Sequence, residues 1–208
     1  MTRRLLAGLA IVVCLLRPDA ARPADATPRI LHAGEMLRGR FVQERELAGF
    51  AKKLRSEGHF VLISGRGLIW SAEIPFKNTT VITAGGILQM VNGAEAMRLP
   101  ASRLPVISRF YDVLSGALSG DTRALEHDFT VARSADAARW HLQLSPARPN
   151  DPVLGQVKTI AVSGSTLVDQ VDISKAGGDA DHLRFLDQVV APVALTAEEI
   201  ALLDSAAR

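Results

Sequence analysis

The chain has 208 residues, of which 48% are hydrophobic and 22% are charged. These fractions exclude an intrinsically disordered protein, and no apolar run reaches the roughly 18–20 residues of a membrane span. The 24 basic and 22 acidic residues become equal in number, at 20 each, when residues 1–26 with their four Arg and two Asp are set aside. This balance disfavours a nucleic-acid binder, which usually carries a basic excess.

The first 26 residues have the pattern of a signal peptide. A basic start, Met1–Arg4, precedes an apolar run of 12 residues, Leu5–Leu16, which suits a signal-peptide core and is too short to span a bilayer. Ala24 and Ala26 then place small residues at the −3 and −1 positions of a cleavage site before Thr27. A cut five or six residues earlier and an uncleaved buried helix are the alternatives. We therefore expect export to the periplasm, with cleavage near Ala26.

The single cysteine, Cys14, lies inside this apolar run. Because Val13 before it is not a small residue, a lipoprotein anchor is not predicted. Cleavage near Ala26 removes the cysteine, so the mature chain is predicted to have no disulfide, thiol nucleophile or cysteine metal site. Residues 27–208 show no repeat and no low-complexity linker, and we predict that they form a single domain.

Alternating apolar and polar residues predict strands in the first half of the chain. Turns recur every eight to twelve residues, a spacing typical of a sandwich or barrel, and one of them is predicted at Glu57-Gly58. The predicted strands are Leu37–Ala48, Phe50–Ser56, His59–Ser64, Leu68–Ile74, Asn78–Thr83 and Ile87–Val91.

The pattern changes after residue 101, where apolar residues between positions 104 and 118 follow helical spacing. Strands then return, and Thr196 with Glu199 predicts a capping box that opens a short C-terminal helix. The later predicted strands are Leu125–Ala132, Arg139–Leu144, Gly155–Ser163, Thr166–Ile173 and Asp181–Leu186. Together these elements predict a mainly β (α+β) fold, in which about eleven strands form a strongly curved sheet and the apolar helix lies across it.

Common catalytic motifs are missing from the sequence. There is no GxSxG, no HExxH, and no Walker or GxGxxG loop. The five histidines stand apart in sequence, and a metal pair formed by His127 and His141 is the alternative to ordinary surface positions. We therefore predict no catalytic residue, no metal site and no cofactor, and a protein that is not an enzyme.

Three motifs follow one another within residues 37–91. They are Gly39-x-Phe41-x-Gln43, then Ser56-x-Gly58-x-Phe60, then Gly67-Leu68-Ile69-Trp70 with Pro75 five residues after the tryptophan. In their order and spacing behind a signal peptide, they resemble the LolA family of periplasmic carriers. That resemblance implies an unclosed antiparallel β-barrel with a helical lid over an apolar cavity that holds acyl chains.

The resemblance also implies site residues. Trp70 matches the family tryptophan, and Leu68 takes the place of the family phenylalanine. The lid-latching arginine of the lipoprotein carriers corresponds to Ser64 here, so we take the nearby Arg66, in a Gly-Arg-Gly turn, as the candidate latch. The expected lipid-binding cavity is formed by strand and lid residues, namely Phe41, Leu68, Trp70, Phe110, Leu114 and Leu118.

These expectations favour a soluble periplasmic carrier that shields the acyl chains of a lipoprotein or another envelope lipid for transfer toward the outer membrane. The implied partners are an acylated cargo, an inner-membrane donor complex and an outer-membrane acceptor, with the carrier itself a monomer. One alternative is a carrier for a glycolipid or polyene lipid that works with a membrane exporter. Two others, from different classes, are a secreted hydrolase with scattered catalytic residues and a structural envelope protein without a ligand.

Overall fold

A computed structural model describes residues 28–101, 116, 123–136, 138–151 and 154–208. Eleven strands account for most of these residues. They are β1 (Glu35–Glu46), β2 (Leu54–Ile63), β3 (Gly67–Ile74), β4 (Asn78–Thr83), β5 (Gly86–Val91), β6 (Ala94–Pro100), β7 (Phe129–Ala135), β8 (Trp140–Pro146), β9 (Val157–Gly164), β10 (Val168–Lys175) and β11 (Ala180–Pro192). The C-terminal helix α1 spans Ala197–Ala206, and short 3-10 turns span Ala124–His127 and Leu154–Gln156.

All eleven strands belong to one antiparallel sheet, in the order β6-β5-β4-β3-β2-β1-β11-β10-β9-β8-β7. The first and last strands meet in its centre, where β1 pairs with both β2 and β11. Strands β6 and β7 are the two edges, so the sheet is not closed into a barrel. The prediction of a mainly β fold with an unclosed antiparallel sheet of eleven strands is confirmed. The predicted lid helix, positions 104–118, lies outside the described residues except for the buried, helical Gly116.

The second and third predicted strands are one strand in the structure. Strand β2 runs without interruption through Glu57 and Gly58, where the sequence pattern predicts a turn. The prediction of a turn is wrong because Gly58 instead allows a close approach of the next strand: a Cβ added there would lie 1.9 Å from the carbonyl oxygen of Ser71.

The sheet buries apolar side chains on both faces. One face, which we call the cavity face, carries a continuous cluster that includes Phe41, Phe60 and Leu68. The opposite face, which we call the helix face, carries a smaller cluster that includes Val61 and Ile69. Because successive side chains along a strand point to opposite faces, neighbours such as Leu68 and Ile69 serve different clusters.

Helix α1 covers the helix face. Its Leu203 and Ala206 are buried in the smaller cluster, against strands β3, β4 and β5. The predicted capping box is confirmed, since the Thr196 hydroxyl accepts from the Glu199 backbone N–H at 3.2 Å and the Glu199 carboxylate accepts from the Thr196 N–H at 2.8 Å. At the other end of the helix, the buried Thr83 hydroxyl donates to the Ala206 carbonyl at 3.2 Å.

The N-terminal end of α1 is tied to β1 by an ion pair. Arg38 donates from Nη1 and Nη2 to the two carboxylate oxygens of Glu199, at 2.5 and 2.9 Å, and from Nη2 to the Ala194 carbonyl at 3.0 Å. Replacing Glu199 with Gln should therefore lower the free energy of unfolding at pH 7 by about 1.5–3 kcal/mol. Urea denaturation measures this change. Glu198→Gln, one residue earlier and exposed, is the matched control and should cost much less.

The same ion pair predicts a pH dependence. The hydrogen bond from Arg38 lowers the pKa of Glu199 from 4.5 to about 2. A carboxyl with a lowered folded-state pKa stabilises the fold fully above its unfolded-state pKa, and loses that contribution as the pH falls toward the folded-state value. The stability difference between the wild type and Glu199→Gln should thus shrink between pH 5 and pH 2. A difference that stays constant over this range would contradict the assignment.

Candidate functional site

The cavity face has an aromatic floor built from four strands. Phe41 on β1 stacks on Trp70 on β3, with ring centroids 3.8 Å apart and an interplanar angle of 25°. Phe60 on β2 lies 6.0 Å from Trp70 and meets Phe185 on β11 edge-on at 5.3 Å. Such stacked and edge-to-face pairs add stabilisation beyond the area that they bury.

The close stack between Phe41 and Trp70 depends on the residue between them. These rings belong to β1 and β3, which are separated by β2, so they lie about 10 Å apart at the backbone. The β2 residue directly opposite Phe41 is Gly58, which also pairs with Ala72 on β3. Because Gly58 has no side chain, the two rings can meet above it.

Other residues of the sequence motifs also meet on this floor. Gly39 faces Phe60, and a Cβ added to this glycine would lie 2.8 Å from the Phe60 ring. Beyond Phe41 along β1, Gln43 accepts a long hydrogen bond of 3.5 Å from the Ser56 hydroxyl. The motifs are thus spatial neighbours, with the small residues leaving room for the large ones.

A cavity of about 840 Å³ opens beside this floor. Trp70 and Ala72 line it at half-buried positions, while Leu54, Ile74 and Phe76 are exposed at its rim. Phe76 is 76% exposed, which is unusual for a large aromatic side chain. The full apolar lining is Leu54, Trp70, Ala72, Ile74, Pro75 and Phe76.

The rest of the cavity lining is polar. Its neutral members come from strands β1, β2, β4 and β5, and are Gln43, Ser56, Asn78, Thr80 and Gln89. Its charged members are all cations, namely Arg45, Lys52, Lys53 and Arg55. The cavity therefore combines an apolar wall with polar and cationic groups, an arrangement that suits an amphiphilic molecule.

One buried carboxylate contacts a cation of this lining. Asp181 is 4% exposed and accepts from Arg45 Nε at 2.7 Å, from Lys175 Nζ at 2.8 Å and from Gln43 Nε2 at 3.0 Å. Burial raises the pKa of Asp181, but the hydrogen bonds from Lys175, Arg45 and Gln43 outweigh it, so the net effect is a lowered pKa. The ionised Asp181 thereby fixes the position of Arg45 at the cavity.

The structure brings together some of the predicted cavity residues. Phe41 and Leu68 are fully buried in the floor, and Trp70 alone of the three borders the open space. The remaining predicted cavity residues, Phe110, Leu114 and Leu118, lie outside the described residues. A lipid-binding role for the whole set stays a prediction.

The candidate latch Arg66 lies in the turn between β2 and β3. Its Nη2 donates to Asp204 Oδ1 on helix α1 at 3.0 Å, and both side chains are largely exposed. The contact thus reaches the C-terminal helix on the helix face. Since the lid segment is not described, a latch between Arg66 and the lid stays a prediction.

Sequence reasoning missed the rim of the cavity. The alternation that places Trp70 on the cavity face also places Ala72 and Ile74 there, so this signal was present in β3. No comparable periodicity marks Lys52 or Phe76, which lie outside the regular strands.

Within the described ranges, no cluster of three or more His, Cys, Asp or Glu side chains is placed to hold a metal ion. His127 lies beside Asp128 and His141 beside Asp136, at 3.2 Å in each case. None of the helices in the described part of the chain has the length and apolar content needed to cross a membrane.

Residues 19–175 match the family described as outer membrane lipoprotein carrier protein LolA-like. This match covers well over half of the chain, so the protein belongs to the LolA-like family. The family description names a carrier, which is a binding function and not a catalytic one. Comparison with curated proteins finds no match.

Several solved structures are similar to this chain. A LolA superfamily protein from Nitrosomonas europaea is 8% identical over 82% of this chain and 91% of its own, with a TM-score of 0.43. A chain of the Pseudomonas aeruginosa MucA/MucB complex is 12% identical over 80% of this chain and 55% of its own, with a TM-score of 0.45. LprF from Mycobacterium bovis is 11% identical over 77% of this chain and 89% of its own, with a TM-score of 0.37.

Proposed function

We propose that this member of the LolA-like family is a soluble periplasmic carrier that shields the acyl chains of an envelope lipid or lipoprotein during transfer toward the outer membrane. The observation that carries the proposal is the cavity of about 840 Å³ whose wall is formed by Trp70 above the buried aromatic floor. That volume is within the range of roughly 300–1,000 Å³ typical of small-molecule sites.

An apolar wall is what an acyl cargo requires. Each methylene group that leaves water gains about 0.8 kcal/mol, so a molecule with long acyl chains does not cross an aqueous compartment unaided at a useful rate. Trp70, Ala72 and the exposed rim residue Phe76 offer such a chain an apolar surface. The rings beneath Trp70 are already packed, so a chain would lie against the open side of Trp70 without opening the core.

The location follows from the leader pattern of the sequence. We propose that residues 1–26 direct export, and that the mature monomer exchanges cargo between an inner-membrane donor complex and an outer-membrane acceptor. A lipoprotein cargo and a glycolipid or polyene cargo both fit an acyl-binding wall. Native mass spectrometry of the protein purified from its own periplasm should show a co-purifying acylated molecule and a chain that begins near Thr27. A full-length cytoplasmic chain would contradict the proposed location.

Binding in the cavity can be followed through Trp70. The chain has two tryptophans, and Trp140 is buried with its Nε1 unpaired among the described residues. In a Trp140→Phe background, laurate should therefore change the emission of Trp70 alone, in a saturable manner. The absence of any response at saturating laurate, with the fold intact by circular dichroism, would contradict an acyl-binding cavity.

A cavity-blocking variant provides the matched test. Ala72→Phe places a large uncharged side chain where the cavity wall is half-buried, and it should weaken laurate binding at least about tenfold because it occupies the acyl site. Ala135→Phe introduces the same side chain at an exposed position on β7, outside the cavity lining, and should leave the affinity unchanged. Equal affinities of the two variants would place the lipid elsewhere.

A further inference from the structure

We propose that the cavity selects amphiphiles with an anionic head, whose carboxylate or phosphate oxygens are held by Lys52 and Arg45 at the mouth. This inference rests on the proposed carrier function and adds the chemistry of the cargo head to it. The acyl tail would lie on Trp70, and the head would remain at the cationic side of the cavity.

Charge is distributed unevenly around the cavity. All four charged residues among its described lining are cations. Two of them are already neutralised by carboxylates outside the lining: Lys53 pairs with Glu46 at 2.5 Å, and Arg55 pairs with Glu44 on β1 and with Glu57 on its own strand β2. These two therefore contribute little net attraction for a ligand.

Lys52 is different from these neutralised cations. It lies in the loop that joins β1 to β2, is exposed, and has no hydrogen bond or ion pair with any described residue. Its loop is held in place by a hydrogen bond from the Ala48 N–H to Asp179 Oδ1 at 2.8 Å and by the Lys53–Glu46 pair. An ammonium group on an anchored loop, lining a cavity and lacking a carboxylate, is available to an anionic ligand.

Arg45 supplies the second cationic group. Only its Nε is engaged by Asp181, at 2.7 Å. Its Nη1 and Nη2 form no hydrogen bond with the described residues, and its side chain is 46% exposed beside the cavity. Asp181 also accepts from Lys175 and Gln43, so its negative charge is shared among three donors. The two guanidinium nitrogens that remain match the spacing of carboxylate or phosphate oxygens.

The polar lining supports a head group on this side. Gln43, Ser56 and Thr80 lie on strands next to the apolar wall of Trp70 and Ala72. Gln43 and Ser56 already hydrogen-bond to each other, and Gln43 also to Asp181. A hydrocarbon tail laid against these groups would still exclude the water that completes their hydrogen bonding, which costs free energy. An amphiphile with a charged, hydrogen-bonding head satisfies both parts of the lining.

Three ligands with one tail and different heads test the proposal. Laurate, dodecyl phosphate and dodecanol, each below its micelle concentration, are titrated into the Trp140→Phe protein at low salt. Both anionic ligands should bind about fivefold or more tightly than dodecanol, the gain typical of one added cation–anion contact in a partly exposed site. That preference should decrease in 0.5 M salt, where the screening length falls to a few ångströms.

Charge removal at one lysine separates the proposal from a general effect of surface charge. Lys52→Gln removes the charge of a side chain that has no partner among the described residues, so the fold should be unaffected, and it should reduce the preference for anionic heads severalfold. Lys158→Gln, on an exposed position of β9 outside the cavity lining, should change nothing. A preference retained in Lys52→Gln, or lost equally in both variants, would overturn the proposal.

The outcomes also separate this inference from the carrier function. Tighter binding of dodecyl phosphate than of laurate, or the reverse, with both above dodecanol, supports the proposal and identifies the anionic group. Equal binding of all three ligands overturns head-group selection and leaves the acyl carrier standing. No binding of any of them overturns both.

Discussion

Replacing Gly58 with alanine is expected to lower the free energy of unfolding by about 3 kcal/mol or more, a large effect for one added methyl group. A Cβ at this position would lie 1.9 Å from the Ser71 carbonyl oxygen and 2.9 Å from the Ala72 Cα. Both are backbone atoms of the paired strand β3, so no side-chain rotation relieves the clash. Strands β2 and β3 would have to separate at the point where the β2–β3 register shifts between Glu57 and Gly58.

Urea denaturation of Gly58→Ala and Gly177→Ala gives the measurement and its control. Gly177 lies in the β10–β11 turn with no atom within 4 Å of an added Cβ, so its substitution should change stability by less than about 1 kcal/mol. Gly58→Ala should also alter Trp70 emission in the Trp140→Phe background, because the Phe41 and Trp70 rings meet above Gly58. Similar stabilities for the two variants would refute the close-approach role of Gly58.

Gly58 also shows where sequence reasoning failed in the fold. A glycine after a glutamate between two apolar runs predicts a turn, and only the position of β3 reveals that it is a place of close approach. By contrast, the glycine pair Gly85-Gly86 does mark a turn between β4 and β5, formed by Ala84 and Gly85, with Gly86 as the first residue of β5. Local sequence therefore identifies the glycine. Whether that glycine forms a turn or a close approach depends on β3, which comes later in the chain and pairs with β2.

The number of strands was predicted correctly, although two errors cancelled. Dividing β2 added one strand, and the absence of any prediction for β6 removed one. Strand β6 is an edge strand whose first residues, from Ala94 onward, are exposed. With one side of the strand unpaired and little of it buried, selection for alternating hydrophobicity is weak there.

The candidate site, too, could be predicted only in part from the sequence. Phe41 and Trp70 could be identified from motif order and alternation, because both face the cluster that the sheet must bury. The cationic side of the cavity could not be identified in this way. Lys52 is a candidate because its loop borders the cavity and because it has no carboxylate partner among the described residues. These features depend on how β1, β2, β3 and β4 come together in space, and no periodic pattern in the sequence predicts that.

Replacing Phe41 with alanine should produce the second large effect, and it links stability to binding. Phe41 is 1% exposed and stacks under Trp70 at 3.8 Å. Removing a buried phenylalanine ring generally costs about 3–5 kcal/mol, which includes the cavity that is left behind. Trp70 would lose the ring that holds it in the cavity wall, so we also expect the Kd for laurate to rise about tenfold, corresponding to roughly 1.4 kcal/mol.

Phe129→Ala separates these two consequences. Phe129, on the edge strand β7, is 2% exposed in the same apolar cluster but does not line the cavity. Its removal should cost a similar free energy of unfolding and leave the laurate affinity unchanged, as measured by calorimetry at a temperature where both variants are folded. Equal loss of affinity in both variants would mean that binding follows global stability. Unchanged affinity in folded Phe41→Ala would mean that Trp70 holds its position without the stack. Only a loss of affinity that is confined to Phe41→Ala agrees with an aromatic floor that supports the acyl site.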